Sequence, residues 1–255
     1  MVRKQTPTET TAATETADTP EITSATVADT TPASKPKPSR AASAAKTDKT
    51  EGKTTSKPRA AAPKKVVRKK SAPIQVLAAA SEIYPLIKTG GLADVVGALP
   101  LALESQGVHV KTLVPGYPRV MQALHELSGD DAPKLWLETH GFFWGDARLW
   151  SATVHGMDLL VLDAPPLYAR DGNPYLDHEG NDWWDNPTRF AALSLMAAQL
   201  SWGAYEHIDY RPDVLHVHDW QTALAPTYLH YLGAGKHRPK TVITIHNLAF
   251  QGQYS

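Results

Sequence analysis

From residue 74 onward the apolar positions of the chain alternate between two kinds of spacing. Ile74 to Ala80 is a short apolar run with polar bounds, the length of a buried strand rather than a helix. A loop follows, Ser81 to Gly91. Then Leu92, Val95, Val96, Leu99 and Leu103 recur at helical spacing, so a helix opening at Leu92 with one apolar face is predicted. Gly107 ends that helix, and Val108 to Val114 reads as a second buried strand. A right-handed crossover would make the two strands of this β-α-β unit parallel. Pro115-Gly116-Tyr117-Pro118 closes it with a turn.

The pattern changes between Lys134 and Asp163. Short alternating runs, Leu135 to Leu137, Ala147 to Val154 and Leu159 to Leu162, are separated by glycines and predict a meander with a hairpin at His155-Gly156. Residues 165 to 187, rich in Gly, Pro, Asn and Asp, read as a loop that also carries four aromatic residues. Its Trp183 and Trp184 suit a sugar-binding rim as well as they suit pins holding the loop to the core. Pro187 starts a helix running to about Glu206, with Phe190, Leu193, Leu195, Met196 and Leu200 along it. Asp213 to Val217 is the next strand, Thr222 to Leu232 a helix, and Thr241 to Ile245 the last strand.

Composition divides the chain in two. Residues 1–72 hold 15 basic and 7 acidic side chains, no leucine and no aromatic residue, while residues 73–255 hold 11 basic and 19 acidic. The first segment cannot bury enough apolar surface to offset the entropy of ordering it, so a disordered tail is predicted. Its lysines between Lys35 and Lys70 could engage nucleic acid or another polyanion by counterion release. A solvated tether is the simpler reading, because no aromatic residue is interleaved for base stacking. A transit peptide is disfavoured by Glu9, Glu15, Asp18, Glu21 and Asp29. The absence of cysteine excludes disulfides and thiolate metal sites, no apolar run is long enough to span a membrane, and no signal-peptide core is present. A cytoplasmic location is expected.

Candidate chemistry gathers at the ends of the predicted strands. Lys88, Gly90 and Gly91 lie on a strand-to-helix loop, where glycines let a ligand approach the backbone and the helix start offers unpaired N–H groups. This suits a phosphorylated ligand, although Gly-Gly before a helix is common in α/β proteins and a lysine in a loop is usually just solvated. His216, His218 and Asp219 at the end of a strand invite a metal reading. It is disfavoured because Trp220 and Gln221 stand where a two-metal hydrolase would carry a further Asp-His. His246-Asn247 after the last strand reads, taken alone, as a polar turn.

The wording of these stretches is more specific than their spacing. SEIYPLIKTGGLADVVGALPLAL resembles the N-terminal signature of bacterial glycogen synthases and plant starch synthases, which are retaining glucosyltransferases. YLDHEGNDWWDNPTRF, HVHDWQTALAPTYL and TVITIHNLAFQGQY resemble further signatures of that family in the same order. The resemblance implies an α/β fold, the doubly wound Rossmann-like N-terminal domain of a two-domain GT-B glycosyltransferase. Residues 73–255 would form that domain incompletely, behind the 1–72 tail.

It also implies ADP-glucose as donor, α-1,4-glucan as acceptor, and no metal or other cofactor. Lys88 matches the lysine that contacts the donor diphosphate, and Asp94 belongs to the same block. Asp219 matches a cleft carboxylate near the transferred sugar, His246 matches the active-site histidine beside the glucosyl ring, and Asn247 is assigned to positioning. The resemblance leads us to expect no glucose transfer by residues 1–255 alone, since the family's second domain carries most nucleotide contacts. Other readings are a truncated, non-catalytic glucan-binding domain and a different nucleotide-sugar glycosyltransferase of the same architecture.

Overall fold

The computed structural model describes residues 72–254. The expected disordered tail, and with it the basic run from Lys35 to Lys70, lies outside the described residues. Seven strands form one mixed sheet: β1 (Ile74–Ala79), β2 (Val108–Pro115), β3 (Lys134–Phe142), β4 (Gly145–Val154), β5 (Met157–Asp163), β6 (Val214–His218) and β7 (Lys240–Thr244), in the order β3-β4-β5-β2-β1-β6-β7. β1, β2, β5, β6 and β7 run parallel, and β4 and β3 are added antiparallel at one side. The central strands read as apolar runs because neighbours and helices cover them: Leu77, Leu113, Leu160, Leu215 and Val217 have no exposed surface. The expected hairpin is present, with His155 at φ 50° and Gly156 at φ 77° between paired Val154 and Met157.

Among the described residues five α-helices accompany the sheet: α1 (Gly91–Glu104), α2 (Pro118–His125), α3 (Pro165–Tyr168), α4 (Asn186–Trp202) and α5 (Leu224–Tyr231). The structure corrects the sequence reading in several places. Pro118 begins α2 rather than ending a turn, because a proline in the first turn of a helix gives up no hydrogen bond. α2 buries Val120 and Leu124, one turn apart. In α1 the buried face is Leu92, Ala93, Val96, Gly97 and Pro100, while Val95 is 40% exposed. The segment 165–187 includes the single turn of α3. α4 stops at Trp202, short of Glu206, because Gly203 takes φ 72° and the N–H of Ala204 turns back to the carbonyl of Gln199 at 2.9 Å. A Cβ at Gly203 would also strike the Arg211 guanidinium.

α4 is buried along most of its length and packs against β1, β2, β6 and α5. Its Arg189 is 1% exposed. The guanidinium donates to the carbonyls of Leu167 and Pro174 at 2.7 and 2.8 Å and to Asn186 Oδ1 at 2.7 Å, which fixes the path of the long loop before the helix. Burial lowers the pKa of Arg189 from its ordinary value. No described helix is long and apolar enough to cross a membrane.

Candidate active site

Two clusters occupy the edge at which β1, β6 and β7 end. The first grows from β1. Glu82 is 2% exposed, so its carboxylate depends on protein donors in place of water. It accepts from the Thr89 N–H, from the Thr89 hydroxyl at 2.7 Å, from the Gly90 N–H at 3.4 Å and from the Tyr175 hydroxyl at 2.5 Å. The Tyr175 oxygen also lies 2.7 Å from Ser81 Oγ. Burial, reinforced by the nearby Glu82 charge, pushes the Tyr175 phenol well above its ordinary pKa, so it remains a donor. Glu82 therefore ties the Lys88 loop to the long loop that carries Tyr175.

Lys88 Nζ donates to Asp94 Oδ1 at 2.6 Å, with the two side chains 44% and 52% exposed. A pair this exposed adds little stability. What it does is keep a cation beside the first turn of α1. Gly90 caps that helix at φ −144° and ψ −165° without any side-chain hydrogen bond. Because Glu82 takes the amides of Thr89 and Gly90, the first-turn amides of Gly91, Leu92 and Ala93 are the ones left for an anion. A Cβ at Gly90 or Gly91 would meet no atom within 4 Å, so these glycines leave open room over the helix start rather than serving packing. Gly97 is the opposite case: a Cβ there would lie 2.5 Å from the Tyr84 carbonyl oxygen, so it seats α1 against the loop.

The second cluster joins β6 to β7. Asp219 adopts φ 55° and ψ −171°, a region that side-chain-bearing residues rarely enter. Its N–H donates to the Thr244 carbonyl at 2.9 Å, and its Oδ1 accepts from the His246 N–H at 2.6 Å. His246 Nε2 lies 3.0 Å from His218 Nδ1, so the two rings share one proton, and His216 Nε2 lies 2.7 Å from Thr244 Oγ1. The rings of His216 and His218 are 4.2 Å apart and those of His218 and His246 are 5.3 Å apart. Burial, helped by the two neighbouring imidazoles, pushes His218 down to about 3, and burial also lowers His216. His218 is thus a neutral hydrogen-bonding support for His246. Asn247 is exposed and accepts the Ala249 N–H at 2.9 Å, shaping the turn.

The structure places the sequence-derived candidates on one sheet edge in two groups, Lys88, Gly90, Gly91 and Asp94 in one and Asp219 and His246 in the other. Among the described residues no hydrogen bond or ion pair links the groups, and no set of three or more His, Asp or Glu residues is arranged to hold a metal ion. Sequence reasoning missed Glu82 and Tyr175. Glu82 had one visible signal, an acid directly after an apolar strand. Tyr175 had none, since its partner lies 93 residues away. The long loop also separates its two tryptophans. Trp183 donates from Nε1 to the Asn173 carbonyl at 3.1 Å beneath the Arg170 guanidinium, whereas Trp184 is 77% exposed.

A family model described as the starch synthase catalytic domain matches residues 75–255. The chain is 52% identical over 183 residues to glycogen synthase 2 of Bradyrhizobium diazoefficiens, a match covering 72% of this chain and 36% of the relative. It is 54% identical over 184 residues to a glycogen synthase of Rhodopseudomonas palustris strain TIE-1, covering 71% of this chain and 35% of that one. Among solved structures it is similar to the catalytic domain of starch synthase IV from Arabidopsis thaliana bound to ADP and acarbose, with TM-score 0.54 and 28% identity over 71% of this chain and 35% of that chain. The chain thus spans about a third of the length of the curated relatives it matches.

Proposed function

Since the chain belongs to the starch synthase catalytic-domain family, we propose that its strand-end site forms one face of a glucosyltransferase centre. The reaction is retaining transfer of glucose from ADP-glucose to the non-reducing end of an α-1,4-glucan. The observation that carries this reading is the open first turn of α1, flanked by Lys88, on the same sheet edge as the Asp219–His246 pair.

The chemistry follows from the charges. As the bond from the sugar to the diphosphate breaks, negative charge grows on the leaving group, and Lys88 with the amides of Gly91, Leu92 and Ala93 stabilises it. Asp94 holds Lys88 in place until the diphosphate competes for it. The sugar becomes cation-like, and Asp219 fixes the His246 backbone and His218 its ring beside it without reorganisation during the reaction. Asn247 shapes the turn that follows. The similar starch synthase IV was solved with ADP and acarbose, which supports a nucleotide diphosphate and a saccharide as the ligands here. We place the protein in the cytoplasm, in keeping with its lack of cysteine. Residues 73–255 serve as the N-terminal domain of the synthase, contributing Lys88 to the donor diphosphate, with the lysine-rich 1–72 segment a tether to it.

Calorimetric titration of the full chain with ADP-glucose tests the reading. Lys88→Ala should weaken binding about tenfold, the loss of one charge-assisted contact. Binding that the substitution leaves unchanged would overturn the donor role of Lys88.

A further inference from the structure

We propose that Trp144 and Trp184 form a glucan-binding platform outside the transfer site. This inference rests on the glucan-acceptor reading above and extends it to a second contact with the acceptor chain.

The two indoles stack at 5.4 Å between centroids with 19° between planes, yet Trp144 is 46% and Trp184 77% exposed. Each ring covers one face of the other and leaves its outer face to water. They come from different parts of the chain. Trp184 is on the long loop before α4, one residue after the anchored Trp183. Trp144 is in the turn between β3 and β4, where Phe142 pairs with Gly145 and Phe143-Trp144 are the two turn residues. Phe143 takes φ 55° and is 37% exposed. Turns of this kind ordinarily carry Gly, Asn or Asp, for which positive φ costs little. Two large aromatic residues held outward in a strained turn point to a surface task, because small polar residues would make the same turn with less strain.

The chemistry of the patch selects its ligand. Flat aromatic faces stack on the C–H face of a pyranose ring, and the exposed neighbours along the chain, Asp146, Asn181 and Asp182, can accept or donate to its hydroxyls. The carboxylates Asp146 and Asp182 oppose an anionic ligand such as the nucleotide donor. A neutral polyol fits, and an α-1,4-glucan is the polyol the proposed reaction uses. The loop that displays Trp184 also delivers Tyr175 to Glu82, so the platform and the Lys88 loop are tied to one segment.

The test is maltoheptaose binding by the full chain, followed by tryptophan fluorescence and by retardation in amylopectin gels. Trp144→Ala and Trp184→Ala should each weaken binding about tenfold, and Trp184→Phe should keep most of it because a ring remains. Near-UV circular dichroism verifies that these exposed positions leave the fold intact. Wild-type binding in both alanine variants would overturn the platform. So would a loss of self-association in Trp184→Ala at unchanged maltoheptaose affinity, which would assign the pair to a second copy of the chain. Absence of maltoheptaose binding to the wild type would overturn the platform alone, since ADP-glucose titration reads the donor site separately.

Discussion

The backbone N–H of His246 donates to Oδ1 of Asp219 at 2.6 Å, and Asp219 accepts that bond from a backbone conformation, φ 55° and ψ −171°, that is normally left to glycine. One residue thus closes the ends of β6 and β7 and stores strain while doing so. The carboxylate explains why the strain persists: it presets the residue proposed to stand beside the sugar.

This relationship separates two substitutions. Asp219→Ala loses the carboxylate and keeps the strain, whereas Asp219→Gly loses the carboxylate and relieves it. The glycine variant should be more stable than the alanine variant by about 1–3 kcal/mol, while both lose the contact to His246. Urea denaturation of the two variants checks this, and equal midpoints would show that the backbone of Asp219 carries no strain.

The stacked histidines predict how stability depends on pH. His218 is held at about 3 in the folded protein against an ordinary value of 6.5, and His216 is lowered as well. Below 6.5 the unfolded chain binds the proton more readily than the folded one, so stability is full above that pH and declines as pH falls from 6.5 toward 3. The loss per buried histidine is at most about 1.4 kcal/mol per pH unit within that window. Replacing His218 with Gln should flatten the dependence measured by urea midpoints between pH 7 and pH 4.5, and an unaltered slope would contradict it.

Two glycines of α1 should respond in opposite directions. Gly91→Ala puts a methyl into open space at a helical position and should stabilise the fold by about 0.4–1 kcal/mol while weakening ADP-glucose binding. Gly97→Ala drives a Cβ toward the Tyr84 carbonyl and should destabilise by about 1–3 kcal/mol. Thermal denaturation paired with donor titration reads both effects, and weaker donor binding without added stability in Gly91→Ala would refute the open-space account.

The central strands were legible in the sequence because a strand covered on both faces is written as an apolar run, as in Leu159 to Leu162. α2 was not, since it buries only Val120 and Leu124 and opens on a proline that serves turns equally well. At the site, Lys88, Gly90 and Gly91 could be placed on one loop by order alone. The tie that Glu82 makes from that loop to the long loop could not, because it closes through Tyr175 across the whole β2–β5 segment. The same holds for the two tryptophans of the long loop: adjacent in sequence, they part because only Trp183 finds a backbone carbonyl and a guanidinium.

The most direct test of the proposed donor site is an amide-resolved NMR titration of the full chain with ADP-glucose. We expect the largest shifts at Gly91, Leu92 and Ala93, with smaller ones at Asp219 and His246, and a titration midpoint about tenfold higher in Lys88→Ala. Shifts centred elsewhere, or a midpoint at α1 that is unchanged without the Lys88 ammonium, would contradict the assignment of this helix start and Lys88 to the diphosphate.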